Sequence, residues 1–434
     1  MNAASNTPQV PSEGRRAAIS IVQTLQNKGF IAYLAGGCVR DRLLGVEPKD
    51  FDVATNAEPK NVRNLFHNTH YVGEAFGVVL VRIGRIRIEV ATFRTEWGYQ
   101  DGRRPQYVSF SDAEHDAQRR DFTINGLFED PVSGKVIDFI GGQADLHAGI
   151  IRAIGEPETR FGEDYLRMLR AVRFATRFGF TLERRTMAAI VQHQSKLSEI
   201  SRERIGQEIL SMFSGPRAAL AVRLIERLGL DAPLLNEPPT TSRLITLSNL
   251  GGPIQFVVTL AAWALDRHIL AQLKKQDRVN SIDQLTTQLN EYTQQHLPEL
   301  VKRWRKMLCL SNEHRDAFQN SLMMLPKVLA WHSQSVSGQK RLLASTPWQD
   351  SWPLAEALRF SGMAQLRKTI RRHKEGLFKQ GVSPPPLVSG NDLIRLGLKP
   401  GPAFSRLLNL VYDAQLDRTI ASRVEALKWL KKHQ

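Results

Sequence analysis

Cysteine and long apolar runs are both scarce in this chain of 434 residues. Its two cysteines, Cys38 and Cys309, form neither a metal-binding spacing nor a disulfide framework, and they suit a reducing compartment. The longest apolar run, residues 254–265, is interrupted by Gln255 and is too short to span a bilayer. Residues 1–16 are polar and show no signal peptide. We therefore expect a soluble protein located in the cytoplasm.

Acidic residues are outnumbered: 43 Asp and Glu stand against 59 Lys and Arg, which gives a net charge of +16. This excess indicates a polyanionic partner, most simply a nucleic acid, although a membrane surface would also fit. Residues 359–434 alone contain 15 Lys and Arg against 5 Asp and Glu. The candidate RNA-binding residues there are Arg367, Lys368, Arg371, Arg372 and Lys374. The cluster favours contact with a phosphate backbone over a merely solvated basic face.

A pair of carboxylates, Asp50 and Asp52, is the first candidate for catalysis and metal binding. On a β-strand, residues two apart lie on the same face, so the two acids would be close together. Like charges at such a distance favour a bound cation, and oxygen ligands of this kind suit Mg²⁺ completed by substrate phosphates. A solvated strand end or a turn is the alternative for Asp-x-Asp alone.

Glu89 is a candidate third acid. It lies within an apolar run, residues 86–93, in which Ile86, Ile88 and Val90 alternate with it. A carboxylate in such a strand is costly unless it is paired or near a metal. The alternative is a strand-edge glutamate that faces water. Gly84 and Arg85 separate this run from the preceding one and predict a hairpin.

A double glycine, Gly36-Gly37, follows an apolar run and precedes a short helical pattern that contains Arg40. Glycine lets the backbone approach a phosphate, and a helix start presents free N–H groups to an anion. Arg40 adds a cation with bidentate donors. A tight strand-to-helix turn is the structural alternative. With the carboxylate pair nearby, the arrangement favours binding of a nucleoside triphosphate and Mg²⁺.

Further along the chain, Arg119-Arg120-Asp121 precedes Asn125. The spacing fits a surface salt-bridge cluster and a site for ribose and triphosphate equally well. Between these motifs, residues 96–105 are rich in Gly, Arg and Asp and predict a mobile loop. From about residue 149 onward, nearly every pattern predicts helix.

Four charged residues in this helical part recur every three positions: Asp164, Arg167, Arg170 and Arg173. On a helix they would form a stripe along one side. Asp accepts and Arg donates hydrogen bonds, as reading a base edge requires, and Arg170 and Arg173 could meet a triphosphate. The alternative is a solvated basic face with one intrahelical ion pair.

Together these motifs resemble the class II tRNA nucleotidyltransferases, the CCA-adding enzymes of the polymerase-β-like superfamily. The matching stretches are Gly36-Gly37-x-Val39-Arg40-Asp41, Asp50-x-Asp52-x-Ala54-Thr55, Glu89-Val90-x-Thr92-x-Arg94, Arg119-Arg120-Asp121-Phe122-Thr123-x-Asn125 and Arg160-Phe161-x-Glu163-Asp164-x-x-Arg167. The resemblance implies an α+β fold, with a small mixed-sheet head followed by an all-α neck, body and tail. The implied divisions are a catalytic head at 1–150, a nucleotide-recognition neck at 151–215, a helical body at 216–355 and a basic RNA-binding tail at 356–434.

The implied activity is template-independent addition of CCA to the 3′ end of tRNA from CTP and ATP. The resemblance assigns two Mg²⁺ ions to Asp50 and Asp52, and base recognition to Asp164 and Arg167. It assigns the binding of the incoming nucleotide to Gly37, Arg40, Arg120, Arg170 and Arg173.

Three other activities remain open: poly(A) synthesis, addition of CC or A only, and RNA binding by an inactive head. Bacterial poly(A) polymerases usually carry Gly-Arg-Arg-Phe where residues 73–77 read Gly-Glu-Ala-Phe-Gly, and they tend to end in an arginine-rich tail that this chain lacks. Both departures favour CCA addition.

Overall fold

The computed structural model describes residues 12–73, 77–99, 105–252, 254–271 and 281–433. The chain forms two compact units. The first comprises Met1–Met212 and Leu224–Pro239, and the second comprises Phe213–Arg223 and Thr240–Gln434. The division into head, neck, body and tail stays a prediction.

The first unit contains a seven-stranded sheet with the strand order β3-β4-β5-β2-β1-β8-β9. In chain order the strands of this unit are β1 (Ala32–Ala35), β2 (Asp52–Thr55), β3 (Thr69–Gly73), β4 (Val78–Ile83), β5 (Ile86–Thr92), β6 (Arg94–Tyr99), β7 (Pro105–Phe110), β8 (Phe128–Glu129), β9 (Val136–Ile137), β10 (Ile150–Ile151) and β11 (Thr181–Leu182). The sheet is mixed, because β2 and β5 run parallel while the other neighbouring pairs run antiparallel.

The predicted hairpin is confirmed: β4 and β5 pair across a turn in which Gly84 has a positive φ of 60°. Along β5, Ile88 and Val90 are buried, whereas Arg87 and Glu89 are exposed. This alternation is typical of a strand with one face against the core. Glu89 therefore projects from the outer face of the strand.

The prediction of a loop at 96–105 is wrong for the described part of that segment. Residues up to Tyr99 form β6, which pairs with β7 from Pro105 onward. Trp97 and Tyr107 stack across the two strands with ring centroids 5.8 Å apart. Cross-strand aromatic contacts of this kind stabilise a ribbon that composition alone assigns to a loop. Residues 100–104 lie outside the described residues.

The helices of the first unit cover the sheet and then continue beyond it. They are α1 (Glu13–Asn27), α2 (Gly37–Leu43), α3 (Pro59–Leu65), α4 (Ala113–Gln118), α5 (Gly142–Ala148), α6 (Pro157–Glu163), α7 (Leu166–Phe178), α8 (Arg184–His193), α9 (Arg202–Phe213) and α11 (Asp231–Leu235). Helix α10 (Ala218–Arg227) has residues in both units. In α1, the fully buried Ile21, Val22 and Leu25 share one face, which packs against β1 and β5. Helix α7 ends at Gly179, whose φ of 75° favours glycine.

The second unit contains helices but no strand among its described residues. Its remaining helices are α12 (Ile245–Asn249), α13 (Phe256–Ala264), α14 (Ile282–Gln295), α15 (Leu297–Met307), α16 (Asn312–Leu329), α17 (Val336–Ala344), α18 (Trp348–Ala357), α19 (Met363–Gln380), α20 (Gly390–Arg395), α21 (Pro402–Leu416) and α22 (Arg423–Lys432). Trp263, Trp304 and Phe318 are fully buried and in ring contact. The predicted α+β class, with a mixed-sheet head and a helical remainder, is thus confirmed. None of the helices seen in the described ranges has the length and apolarity needed to cross a bilayer.

Candidate active site

A cavity of about 510 Å³ lies in the first unit and is lined almost entirely by charged and polar side chains. Eight of the predicted site residues meet there: Gly37, Arg40, Asp52, Arg120, Asp164, Arg167, Arg170 and Arg173. The other lining residues are Gly36, Arg119, Asp121, Asn125, Leu166, Phe174, Arg177 and Arg204. Motifs far apart in the sequence therefore converge on one volume. Asp50 and Glu89 are not among the lining residues.

Asp52 is the first residue of β2, and its direct partner on the parallel strand β5 is Glu89. Paired residues on neighbouring strands project from the same face, so the two carboxylates are neighbours. Asp50 is not on the strand as expected; it lies two residues before β2 begins and is exposed. The shared strand face therefore belongs to Asp52 and Glu89, and Asp50 approaches from the adjoining loop.

Partial loss of hydration raises the pKa of Asp52 to about 6, and repulsion from Glu89 and Asp50 adds to this effect while Arg120 opposes it. Repulsion between carboxylates is relieved by a bound cation, and their oxygens suit a hard divalent metal. Across the described residues, no group of three or more His, Cys, Asp or Glu side chains forms a metal-binding cluster by itself.

The double glycine forms the turn between β1 and α2. Gly36 has a φ of 70° and its N–H donates to the carbonyl oxygen of Leu127 at 2.9 Å. A Cβ atom on Gly36 would lie only 2.7 Å from Nη1 of Arg120. The positive φ therefore favours glycine at this position, and any larger residue would also displace the end of the Arg120 side chain. Gly37 begins α2 at the edge of the cavity.

Arg40 is largely buried, with 4% of its surface exposed. Its guanidinium donates to Asp41 at 2.6 and 2.8 Å and to the side-chain oxygen of Asn125. It also lies over the rings of Phe174 and Phe178, 5.2 and 4.8 Å from their centroids. These contacts fix Arg40 as part of the cavity wall, with much of its hydrogen-bonding capacity already used.

Arg119 and Arg120 share the buried carboxylate of Asp116, at 2.8 and 3.0 Å. Burial would raise the pKa of Asp116, but the two arginines outweigh this effect and lower it. Both arginines also line the cavity. The two arginines therefore pair with a buried acid outside the motif and not with Asp121 in a surface cluster, and their side chains lie at the wall of the cavity.

Asp164 is not on the helix of Arg167, contrary to the predicted stripe. It lies between α6 and α7 with an extended backbone, φ −158° and ψ 103°. Its carboxylate accepts from Leu166 N at 3.1 Å and from Arg204 of α9 at 2.6 and 3.2 Å. Arg167 is bound instead to Glu163 and to the carbonyl oxygen of Arg160. The alternative hypothesis, a solvated basic face with one intrahelical ion pair, would pair Asp164 with Arg167. No such pair forms between these two described residues.

The next two arginines of α7 are each held by an acid. Arg170 donates to Asp121 at 2.6 and 2.8 Å, and Arg173 donates to Glu208 of α9 at 2.6 Å. Burial alone would raise the pKa of Asp121, but its contacts with Arg170 and Asn125 bring it down to about 2. The arginine side chains are thereby ordered at the cavity before a ligand arrives.

Three residues at the site were missed by the sequence analysis. Arg177 pairs with Asp41 at 2.8 Å, Arg204 pairs with Asp164, and Glu208 pairs with Arg173. Arg177 follows Arg173 by four residues, which places it on the same side of a helix, and it could have been included on that signal. Arg204 and Glu208 lie in an amphipathic helix, and their ion pairs with Asp164 and Arg173 connect them to the site. Arg204 lines the cavity, and Glu208 holds Arg173, which does.

The five predicted RNA-binding residues all lie on α19 of the second unit. Lys368 and Arg372 are exposed. Arg367 donates to the carbonyl oxygen of Leu358 at 3.1 Å, and Arg371 donates to Glu356. Arg367 and Arg371 therefore hold the end of α18, and Lys374 lies over the ring of Phe378, 5.8 Å from its centroid.

Two family models match this chain, the first within the first unit and the second across residues of both units. The model described as "Poly A polymerase head domain" matches residues 32–152, and the one described as "Probable RNA and SrmB- binding site of polymerase A" matches residues 179–242. The first match contains most of the sheet together with Asp52, Glu89 and Arg120.

Among curated proteins, similarity extends to CCA-adding enzymes from several bacteria. The enzyme of Latilactobacillus sakei subsp. sakei is 32% identical over 426 residues, which are 94% of this chain and 96% of that protein. The enzyme of Lactiplantibacillus plantarum is 39% identical over 66% of this chain and 76% of its own length. The enzyme of Lactobacillus helveticus is 42% identical over 57% of this chain, and the match spans 62% of that relative, less than two thirds of its length.

Solved structures agree with this assignment. The crystal structure of the Bacillus stearothermophilus CCA-adding enzyme in complex with CTP superimposes with a TM-score of 0.70 at 29% identity, over 97% of this chain and 98% of that one. The Thermotoga maritima CCA-adding enzyme complexed with tRNA shares the fold, with a TM-score of 0.68 at 20% identity over 98% and 97% of the two chains. The chain belongs to the class II CCA-adding enzymes of the nucleotidyltransferase superfamily.

Proposed function

We propose that this protein adds C, C and A to the 3′ end of tRNA from CTP and ATP, without a nucleic-acid template and with release of diphosphate. One observation carries the proposal. A single cavity contains an acceptor–donor pair suited to a base edge, several arginines suited to phosphates, and the carboxylate of Asp52. A nucleoside triphosphate needs all three of these partners: one for its base edge, cations for its phosphates, and a metal-binding acid near the α-phosphorus at which diphosphate is released.

The base-reading pair is Asp164 and Arg167. Cytosine and adenine each present an amino donor beside a ring-nitrogen acceptor, whereas uracil and guanine present a carbonyl acceptor at the place of the amino group. A carboxylate that accepts and a guanidinium that donates therefore match C and A. Glu163 orders Arg167, and Arg204 orders Asp164. Ordered partners discriminate better because a mismatched base leaves them unpaired.

The phosphate-binding part comprises Arg120, Arg170 and Arg173 with the Gly37 turn, and Arg40 supports it from the wall. Each of these arginines forms an ion pair with an acidic side chain, so part of the positive charge at the cavity is already neutralised. The acids keep the guanidinium groups in place, and the remaining N–H donors can bind phosphate oxygens bidentately.

Enzymes of this family, as nucleotidyltransferases, generally use a divalent metal. We assign two Mg²⁺ ions to Asp50 and Asp52, on the support of the raised pKa of Asp52 and the neighbouring Glu89. When bound, such ions would lower the pKa of the 3′-hydroxyl and neutralise the leaving diphosphate. Asp50 and Asp52 would hold the ions, and Glu89 would act as a further acid beside them.

The exposed bases of α19, Lys368 and Arg372, are proposed to contact the tRNA backbone, with Arg371 and Lys374 beside them. Arg367 supports that surface through its contact with α18. A cytoplasmic location is part of the proposal, since tRNA maturation supplies the substrate there.

The decisive experiment is incubation of tRNA lacking its terminal CCA with CTP, ATP and Mg²⁺, with product length read at single-nucleotide resolution. Three additions that then stop are expected. A long ladder with ATP alone would replace the proposal with poly(A) synthesis, and addition of only CC or only A would imply a partner enzyme. Absence of nucleotide binding by calorimetry would indicate an RNA-binding protein with an inactive head.

A further inference from the structure

Asp164 needs a fixed direction if it is to read a base edge, and its own backbone does not supply one. The residue lies in the extended break between α6 and α7, outside either helix. A side chain there can adopt several rotamers that point its carboxylate differently. One local restraint exists: the backbone N–H of Leu166 donates to Oδ1 at 3.1 Å.

Arg204 supplies the second restraint from α9. Its Nη2 donates to Oδ2 of Asp164 at 2.6 Å and its Nη1 donates to Oδ1 at 3.2 Å. A bidentate contact of this kind fixes the plane of a carboxylate as well as its position. The Arg204 and Asp164 side chains are 19% and 15% exposed and both line the cavity, so the pair lies where a base would enter.

The contacts of Asp164 leave one acceptor position for a ligand. A carboxylate has about four lone-pair positions on its two oxygens. Oδ1 uses two of them, for Leu166 N and Arg204, and Oδ2 uses one for Arg204. Within the described contacts, one position on Oδ2 therefore remains. A single acceptor is what one amino N–H of cytosine or adenine requires.

We propose that Arg204 is a positioning residue for base selection: it holds Asp164 so that its remaining acceptor on Oδ2 faces the amino group of the incoming C or A. This inference rests on the proposed function. Without Arg204, the carboxylate could rotate and present its oxygens in more than one direction. When U or G binds, its carbonyl oxygen would face the carboxylate, and two acceptors side by side are unfavourable. A carboxylate that is free to rotate can turn away from that carbonyl, so the energetic cost of binding U or G is smaller than with a fixed carboxylate.

The test compares Arg204→Met and Arg204→Lys with Asp164→Ala in single-nucleotide incorporation. The measured quantity is the ratio of kcat/KM for CTP over UTP, and for ATP over GTP. We expect Arg204→Met to lower both ratios by roughly tenfold or more, which is the scale of one lost base contact. Arg204→Lys keeps the positive charge but loses the bidentate geometry of the guanidinium, so we expect it to lower the two ratios less than Arg204→Met does. These ratios do not depend on how much of a sample is folded.

Two further measurements separate positioning from a structural effect. In an Asp164→Ala background, Arg204→Met should lower the ratios no further, because the two residues act as one unit. The matched control is Arg202→Met on the same helix: Arg202 donates to the carbonyl oxygens of Pro233 and Leu234 and does not line the cavity. That variant should lose stability but keep wild-type ratios.

The outcomes are distinct. If Arg204→Met folds and keeps wild-type ratios, or if its effect adds to that of Asp164→Ala, the inference is overturned. If Arg204→Met does not fold, Arg204→Lys becomes the test. Unchanged ratios in Arg204→Lys would then overturn the inference as well. Failure of the wild-type protein to extend tRNA would instead remove the proposed function. Selection that is lost in Asp164→Ala but kept in both Arg204 variants removes only the role of Arg204.

Discussion

Arg170 and Asp121 are joined by two hydrogen bonds, 2.6 and 2.8 Å long, that connect α7 to the segment following α4. Asp121 also accepts from the side-chain amide of Asn125 at 2.9 Å and from the N–H of Phe122 at 2.8 Å. One buried carboxylate thus orders an arginine of the cavity and the turn beside the glycine loop. Because both oxygens are hydrogen-bonded, the ionised form is strongly favoured.

Removal of that charge should destabilise the first unit in a pH-dependent way. The folded pKa of Asp121 is about 2, below its unfolded value of 3.8. A lowered pKa contributes stability that is fully present above the unfolded pKa and is lost as pH falls through the folded one. Asp121→Asn should therefore cost about 2 kcal/mol at pH 7, with the difference from wild type falling by roughly half near pH 3.

Urea denaturation at several pH values measures this difference. Glu47→Gln, which changes an exposed acid of the same unit, is the control and should have little effect at any pH. A cost of Asp121→Asn that stays constant from pH 7 to pH 3 would contradict the assignment.

The acids at the start of β2 should be indispensable for catalysis but not for RNA binding. Asp52→Asn or Asp50→Ala should reduce nucleotide incorporation by more than about a hundredfold, because each removes a proposed ligand of the metal ions that would stabilise the transition state. Binding of tRNA should stay within about twofold of wild type, since the basic surface on α19 is unchanged. Incorporation assays and filter binding measure the two effects. More than a few per cent of residual activity in either variant would refute the metal assignment, and chelation of divalent ions should reproduce the loss.

Sequence patterns predicted those parts of the site that each lie within one contiguous motif. The alternation around Glu89 separated it from Ile88 and Val90, as the burial along β5 shows, and the double glycine marked the turn at Gly36. Both depend on local rules of strand and turn geometry. The side-by-side position of Glu89 and Asp52 is different, because it depends on the register of two strands far apart in the chain.

The errors have local and tertiary causes. The three-residue spacing of the charged residues predicted a helix that includes Asp164, whereas α7 begins at Leu166 in the structure. The carboxylate of Asp164 accepts from Leu166 N, a local contact that competes with helix formation. Part of strand β6 was predicted as loop because its segment contains Gly98 and many polar residues, which are typical of loops. The aromatic Trp97, which favours a strand, was given less weight. Arg204 had no local signal, since its partner is 40 residues away.

The basic surface of α19 should show itself in the salt dependence of tRNA binding. Lys368→Ala and Arg372→Ala each remove an exposed cation, and each should lower the slope of log affinity against log salt by about 1 if it contacts a phosphate. Arg371 is a matched comparison, because its guanidinium is already paired with Glu356. Arg371→Ala should therefore change the slope less than Arg372→Ala. Equal slopes for all variants and wild type, measured by filter binding from low to high salt, would exclude this helix from the RNA interface.

The residues around the cavity should separate into those that read the base and those that bind the phosphates. Asp164→Ala removes the acceptor for the amino group, so UTP and GTP should be incorporated more readily while CTP and ATP lose part of their advantage. One bidentate base contact is worth about 1–3 kcal/mol, which corresponds to a roughly five- to hundredfold change in preference. Arg173→Ala removes a guanidinium that carries no base information. It should weaken all four nucleotides by similar factors.

Steady-state incorporation with each nucleotide separates the two effects. Arg170→Ala should behave as Arg173→Ala does, with an additional loss of stability, because it also leaves the buried carboxylate of Asp121 without its arginine. Thermal melting measures that difference. If Asp164→Ala keeps the wild-type preference for CTP and ATP, the protein side chain does not act as the template. If Arg173→Ala changes preference rather than affinity, the assignment of base and phosphate contacts along α7 must be reversed.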